Sequence, residues 1–183
     1  MKPRSVWTVG MVAMALEMGA GAASAWAESG TAIIGSTGEP KVLGSAAFTE
    51  LDDGLEVDVQ LIDVPPGRHG LHIHQYGDCG DVGNAAGGHF NPDEVPHGFL
   101  PKDGLSNAHP GDMGNIEVGR DRTGTLRVVL PGVSLGGEYS VGGRSIVLHE
   151  QADDFGQPTG NAGGRIGCGV ILIAAPMAEE PAP

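Results

Sequence analysis

Hydrophobic and polar residues alternate along the middle of this chain with a period of two. In Leu55-Glu56-Val57-Asp58-Val59-Gln60-Leu61 the alternation is strict, as in a strand with one face in a core and the other in water. Asp53-Gly54, just before it, reads as a hairpin turn. Shorter β-favouring runs recur at 31–34, 42–49, 70–74, 115–118, 125–130, 145–149 and 169–174, parted by Gly, Pro and Asp-Gly turns, and helix signals are nearly absent. Together with 55–62 they make eight short strands. The pattern predicts an all-β domain, an eight-stranded antiparallel sandwich or barrel. The stretches 75–114 and 151–167 are too rich in Gly, Pro and Asp for strands. They read as two long functional loops, the usual role of such length in a compact domain.

The chain ends read differently. Lys2 and Arg4 precede a short apolar stretch from Val6 to Ala15, and Ala25-Trp26-Ala27 offers a small-residue cleavage site. Residues 1–27 are therefore expected to be a secretory signal peptide and 28–183 the mature domain. Glu17 interrupts the apolar run, which is too short for a membrane span. From about residue 176 the Pro-, Ala- and Glu-containing tail is expected to be disordered. In an exported chain Cys79 and Cys168, the only two cysteines, are the one intrachain pair for a disulfide; the alternative is two free buried thiols. The net charge is −13. Removing Lys2, Arg4 and Glu17 takes away a net +1 and leaves −14, a surface that argues against nucleic acid or anionic membranes as partners.

The chemistry is concentrated in the histidines. His72 and His74 are two apart in an apolar run and so project to one face of a strand. His89 follows in Gly87-Gly88-His89-Phe90-Asn91-Pro92, then His97, then His109-Pro110-Gly111-Asp112, and His149 ends Ile146-Val147-Leu148-His149. Any one of them alone reads better as a surface or satisfied core residue. Six of the seven histidines in this arrangement, with Asp112 as the single hard anionic ligand, suit two metal sites that share a ligand.

These segments, with Gly143-Arg144-Ser145-Ile146 and Gly160-Asn161-Ala162-Gly163-Gly164-Arg165-Ile166-Gly167-Cys168, run in the order found in copper–zinc superoxide dismutases. The chain resembles that family over nearly everything after about residue 31, and Cys79 directly after Asp78 is similar to its bacterial secreted branch. The resemblance implies an eight-stranded Greek-key barrel. It implies copper held by His72, His74, His89 and His149, and zinc held by His89, His97, His109 and Asp112, with His89 bridging as an imidazolate. The implied reaction is disproportionation of superoxide to oxygen and hydrogen peroxide by copper cycling between Cu(II) and Cu(I). His89 and Arg165 are its catalytic residues, the first passing a proton and the second holding the anion. Asp153 matches an aspartate that links a copper histidine to a zinc histidine, although Asp153-Asp154 alone could equally be a solvated turn. His69 matches a structural histidine. The resemblance also implies the Cys79–Cys168 bridge, antioxidant defence outside the cytoplasm, an exported protein (periplasmic first, otherwise secreted) and, as the one macromolecular partner left open, a second copy in a homodimer.

One departure concerns charge. Residues 150–164 contain no lysine, and Gln151 stands where the family often has one, so steering of the anion should be weak or come from Lys102 or Arg144. A copper-delivery module and a copper-only variant on the same fold are the competing readings. The filled set of seven ligand positions and Arg165 favours the enzyme.

Overall fold

The computed structural model describes residues 28–174; the leader and tail expectations fall outside them. The alternating segments form strands as their period requires. They are β1 (Ser29–Ser36), β2 (Leu43–Leu51), β3 (Gly54–Ile62), β4 (Gly67–His74), β5 (Asp112–Val118), β6 (Gly124–Pro131), β7 (Ser145–His149), β8 (Arg165–Val170) and a two-residue β9 (Leu172–Ile173). Every pairing between them is antiparallel. The order around the sheet is β2-β3-β6-β5-β4-β7-β8-β1, and β1 pairs back onto β2. This closes an eight-stranded barrel and leaves no long free edge. Strand β3 lies beside β6 instead of β4, which is the Greek-key swap.

The interior is built from every second residue. On β3, Leu55, Val57, Val59 and Leu61 are all buried, and they pack with Phe48, Leu71, Ile73, Ile116, Leu130, Ile146 and Leu148 in one continuous core. Each such fully buried side chain contributes about 1.5–3 kcal/mol relative to exposure.

Most strands run one to three residues beyond the sequence pattern, and two of the shifted starts bear on the site. The last strand, expected over 169–174, starts at Arg165 and is broken at Ile171. The Gly-rich lead-in pairs with β7 because glycines let β7 and β1 approach closely; a Cβ on Gly169 would lie 2.4 Å from the Ile33 carbonyl. Likewise β5 begins at Asp112, inside the stretch read as loop. The rest of 75–111 and all of 150–164 are loops, apart from a 3₁₀ segment at Asp81–Ala86 and one helical turn at Leu100–Asp103.

Candidate metal centre

The outer wall of the barrel carries the site. On β4, Leu71 and Ile73 point inward to the core, which turns His72 and His74 outward. Both faces of β4 and of β7 are nevertheless buried, because the two long loops fold back over the wall. Main-chain bonds from Gly70 N–H to Gln151, from Ile73 N–H to Gly111 and from Phe90 N–H to Ile73 fasten them there. Strand register then aligns the chemistry. Asp112 on β5 sits opposite His72, and His149 on β7 sits opposite Arg165 on β8. Ladder irregularities fall between Gly70 and His72 and between Leu148 and His149. Such bulges re-aim side chains beside functional sites. His89 returns against His74 through a single bridge.

Four histidines converge in the first cluster. His74 Nδ1 donates to the Gly87 carbonyl at 3.0 Å, and His149 Nδ1 faces the Gly163 carbonyl at 3.4 Å. A carbonyl can only accept, so each ring keeps its lone pair on Nε2. Those two Nε2 atoms lie 3.3 Å apart. Burial first, and repulsion between neighbouring rings second, lowers His74 to about 2 and His149 to about 3, so both are neutral at physiological pH. His72 uses Nε2 to donate to Asp153 Oδ2 at 2.8 Å. Its Nδ1 is buried with no hydrogen-bond partner among the described residues. Lone pairs facing one another in a buried pocket repel unless a cation lies between them. Neutral imidazole nitrogens are the donors copper and zinc prefer.

The second cluster contains His89, His97, His109 and Asp112. His89 Nδ1 lies 3.1 Å from Asp112 Oδ1 and 3.3 Å from His109 Nδ1. His89 therefore serves this cluster through Nδ1, which leaves Nε2 for the first. Its ligand atoms lie within 4.8 Å of the other donors in both sets of four. Burial lowers His89 to about 4 despite the opposing pull of Asp112. Asp112 Oδ2 accepts the N–H groups of Gly98 and His109, both at 3.0 Å. Burial alone would raise the Asp112 carboxyl, but its histidine partners outweigh that and hold it far below the usual range. His97 Nδ1 approaches Asp112 Oδ2 to 2.8 Å yet lies outside hydrogen-bonding geometry and has no such partner. It is a second orphaned buried nitrogen aimed at the centre. Burial works against charge on His97, but the two carboxylates prevail and raise it to about 9.

Asp153 is no solvated turn. It is 2 % exposed and joins the clusters from behind, accepting from His72 Nε2 at 2.8 Å and from His97 Nε2 at 3.0 Å. Burial opposes its ionisation, and these bonds with the Phe155 N–H overcome it and keep the carboxyl well below the normal range. Each bond fixes a tautomer and frees Nδ1 for a metal. His69 stands apart, its ring nitrogens 2.9 Å from the His149 carbonyl and 2.8 Å from the Pro65 carbonyl. Asn115 and Gln157 carried no signal that singled them out. Asn115 bonds both backbone groups of Asp153, and Gln157 those of His97. The available hint at Asn115 was an amide inside a strand, where Asn is uncommon.

The shifts set an acid response for the metal-free protein. His74, His89 and His149 have depressed values, so the stability they contribute is present above about 6.5 and is lost as pH falls toward about 4 and below. The raised value of His97 acts oppositely, contributing below about 6.5 and losing that contribution as pH rises through about 9. Below pH 6.5 the His97 contribution is constant and only the three depressed histidines change, so the thermal midpoint of metal-free protein is expected to drop between pH 6.5 and 4. A midpoint unchanged over that range would contradict the histidine assignments.

Above the first cluster a cavity of about 190 Å³ opens between His74, His89, His149, Thr159, Asn161, Gly163 and Arg165. Arg165 reaches it half-buried, donating to the carbonyls of Gly83 and Gly87 at 2.5 and 2.6 Å. Cys79 and Cys168 are disulfide-bonded with Cα atoms 5.7 Å apart. The bridge and Arg165 thus hold the same 79–87 segment from two points of β8. In the chain-entropy account a closed loop of this length is worth about 4–5 kcal/mol. Reduction is expected to lower the melting temperature and, by loosening the carbonyls that hold Arg165, the activity. Equal melting curves and rates before and after reduction would sink this coupling.

Neither of the two other proposed cations lines the cavity. Arg144 stacks 3.6 Å over the Phe90 ring and donates to the Gln75 and Ser140 carbonyls. Lys102 is exposed on the helical turn and takes no part in the cavity wall.

Comparison with known proteins agrees with this geometry. Residues 42–171 match the family model of copper/zinc superoxide dismutase (SODC). The chain belongs to this family. It is 40% identical over 138 residues to the extracellular superoxide dismutase [Cu-Zn] of Caenorhabditis elegans, covering 72% of this chain and 61% of that protein, which is less than two thirds of its length. It is 40% identical over 142 residues to the protein of the same description from Haemonchus contortus, covering 73% and 75%. The crystal structure of the clock protein EA4 superposes with a TM-score of 0.72 at 36% identity, over 80% of this chain and 94% of that one. Copper and zinc are the metals of copper/zinc superoxide dismutases, and the two donor sets offer one position for each. Among the described residues no helix is long and apolar enough to cross a membrane.

Proposed function

We propose that the protein disproportionates superoxide to oxygen and hydrogen peroxide, with copper held by His72, His74, His89 and His149 and zinc by His89, His97, His109 and Asp112. The observation that carries this reading is the pair of convergent four-donor sets sharing His89. Copper bound there supplies the one-electron change between Cu(II) and Cu(I), and zinc a fixed positive charge. The chain supplies the rest. Asp153 orients His72 and His97. His89 Nδ1 sits beside Asp112 in the second cluster, so the ring would stay in place there while its Nε2 is free to take up and release a proton. Arg165 receives the anion in a cavity too small for a large ligand, its guanidinium aimed by two carbonyls.

Arg165→Ala is expected to slow superoxide removal roughly tenfold, the effect of losing about 1.4 kcal/mol of anion attraction. With a lysine-free rim the parent rate should fall only modestly from low to physiological salt, where charges beyond about 10 Å are screened. A steep salt dependence with an unaffected variant would move guidance to another cation.

The reading includes removal of residues 1–27 and export of the 28–183 domain, to the periplasm in a bacterial cell, in defence against superoxide. The leader pattern, the disulfide and the extracellular relatives support it. It also includes a homodimer through the barrel face where Ile33 and Leu172 are 70% and 63% exposed, testable by sedimentation. The deciding experiment is metal analysis of purified protein with a superoxide-decay assay. One copper and one zinc per chain with rapid decay are expected. Copper-loaded protein that removes no superoxide would favour a delivery role.

A further inference from the structure

The segment after Asp153 wraps around the His97 imidazole. Phe155 stacks on that ring with centroids 6.4 Å apart. Gln157 then meets both backbone groups of His97 at once: its Oε1 accepts the His97 N–H at 3.0 Å and its Nε2 donates to the His97 carbonyl at 2.8 Å. Asn115 treats Asp153 the same way, donating to its carbonyl at 2.9 Å and accepting its N–H at 2.7 Å. Both ends of the His97–Asp153 hydrogen bond are thus gripped by a two-point amide clamp. The two clamps differ in what they join. Asn115 ties a loop to the barrel, whereas Gln157 ties one loop to the other across sixty residues of sequence. No main-chain bond reaches His97 among the described residues, and Pro96 before it has no N–H to offer. Among the described residues Gln157 is therefore the only hydrogen-bond partner of the His97 backbone. Two residues further on, Thr159 and then Asn161 enter the wall of the cavity above the first cluster.

We propose that Gln157 is a positioning residue, which fixes His97 toward the second cluster and links the 159–163 wall of the cavity to the occupancy of that cluster. The proposal rests on the zinc reading given above. Two bonds from one planar amide to one backbone unit fix its rotation as well as its position, so the direction of His97 Nδ1 is set before an ion arrives. An ion that draws His97 inward pulls on Gln157 and, through the turn that follows, on the residues lining the cavity.

The test compares the parent with Gln157→Glu, which keeps length and acceptor but loses the donor, and with Gln157→Ala, which loses both. Zinc release from metal-loaded protein to excess chromogenic chelator is expected to quicken roughly tenfold in the alanine variant, the effect of losing about one net hydrogen bond to a ligand's backbone, and less in the glutamate variant. Copper retention should stay at the parent value. Amide hydrogen exchange should accelerate at His97 and across 159–163. Copper and zinc loss rising together, in step with a lowered melting point, would mark Gln157 as merely structural and overturn the proposal. So would parental zinc release and parental exchange at His97 in both variants. If Asp112→Ala left zinc binding untouched, the zinc reading itself would fail; exchange at His97 in metal-free protein would still decide the clamp.

Discussion

Replacing His149 by alanine is expected to abolish superoxide removal while zinc stays bound. His149 belongs to the first cluster alone, where its Nε2 faces that of His74 at 3.3 Å, and its hydrogen bonds among the described residues reach neither Asp112 nor His109. Its loss would leave three histidines in that cluster and open the cavity floor. Asp112→Ala should do the reverse. That carboxylate meets His89, His97 and His109 and takes two main-chain N–H groups, so its removal should release zinc and loosen the 97–109 loop. Stripping the partner from a buried charged network costs about 3–5 kcal/mol. Metal content after dialysis, read with the decay assay, separates the two. Loss of the same metal from both variants would show the division of ligands to be wrong.

The second large effect is expected from a residue with no functional group. A Cβ at Gly160 would lie 2.0 Å from Asp153 Oδ1 and 2.7 Å from His97 Nε2, and Gly160 has φ +77. Gly160→Ala must therefore displace the carboxylate that holds His72 and His97, besides straining the backbone. We expect about 3–5 kcal/mol of lost stability, chiefly from the broken buried network, and faster release of zinc. Gly104→Ala provides the comparison, since its φ is +70 and its ψ 167 but nothing lies within 4 Å of the added carbon; there the backbone cost alone, about 1–3 kcal/mol, should appear. Matching melting curves for the two variants would mean that the crowding around Gly160 relaxes freely.

Gly160 also shows where legibility in the sequence ended. Strand β3 could be read from its alternation because one side of the barrel is apolar and the other wet. Both metal clusters could be read because imidazoles at these spacings serve few other purposes, and the family resemblance supplied their division. Asp153 needed the resemblance, since its neighbours resemble any acidic turn. The starts of β5 and β8 were hidden because Asp112 and the glycines around Arg165 are poor strand formers; pairing with β4 and β7 overrides propensity there. Arg144 read as a candidate for steering, and its packing against Phe90, which takes it out of the cavity wall, is announced by no local pattern. Gln157 and Asn115 act through amide-to-backbone bonds, a contact that any Gln or Asn could make and no local pattern announces.

The barrel's interior and its metal-bearing wall are made from opposite faces of the same strands, and the core cluster contains none of the six histidines. Collapse of the chain therefore does not wait for an ion. The barrel is expected to close on apolar burial, with copper and zinc entering its wall afterwards. Maturation would in that sense be a matter of supply, with the activity of a folded, metal-free pool set by metal uptake and not by new synthesis.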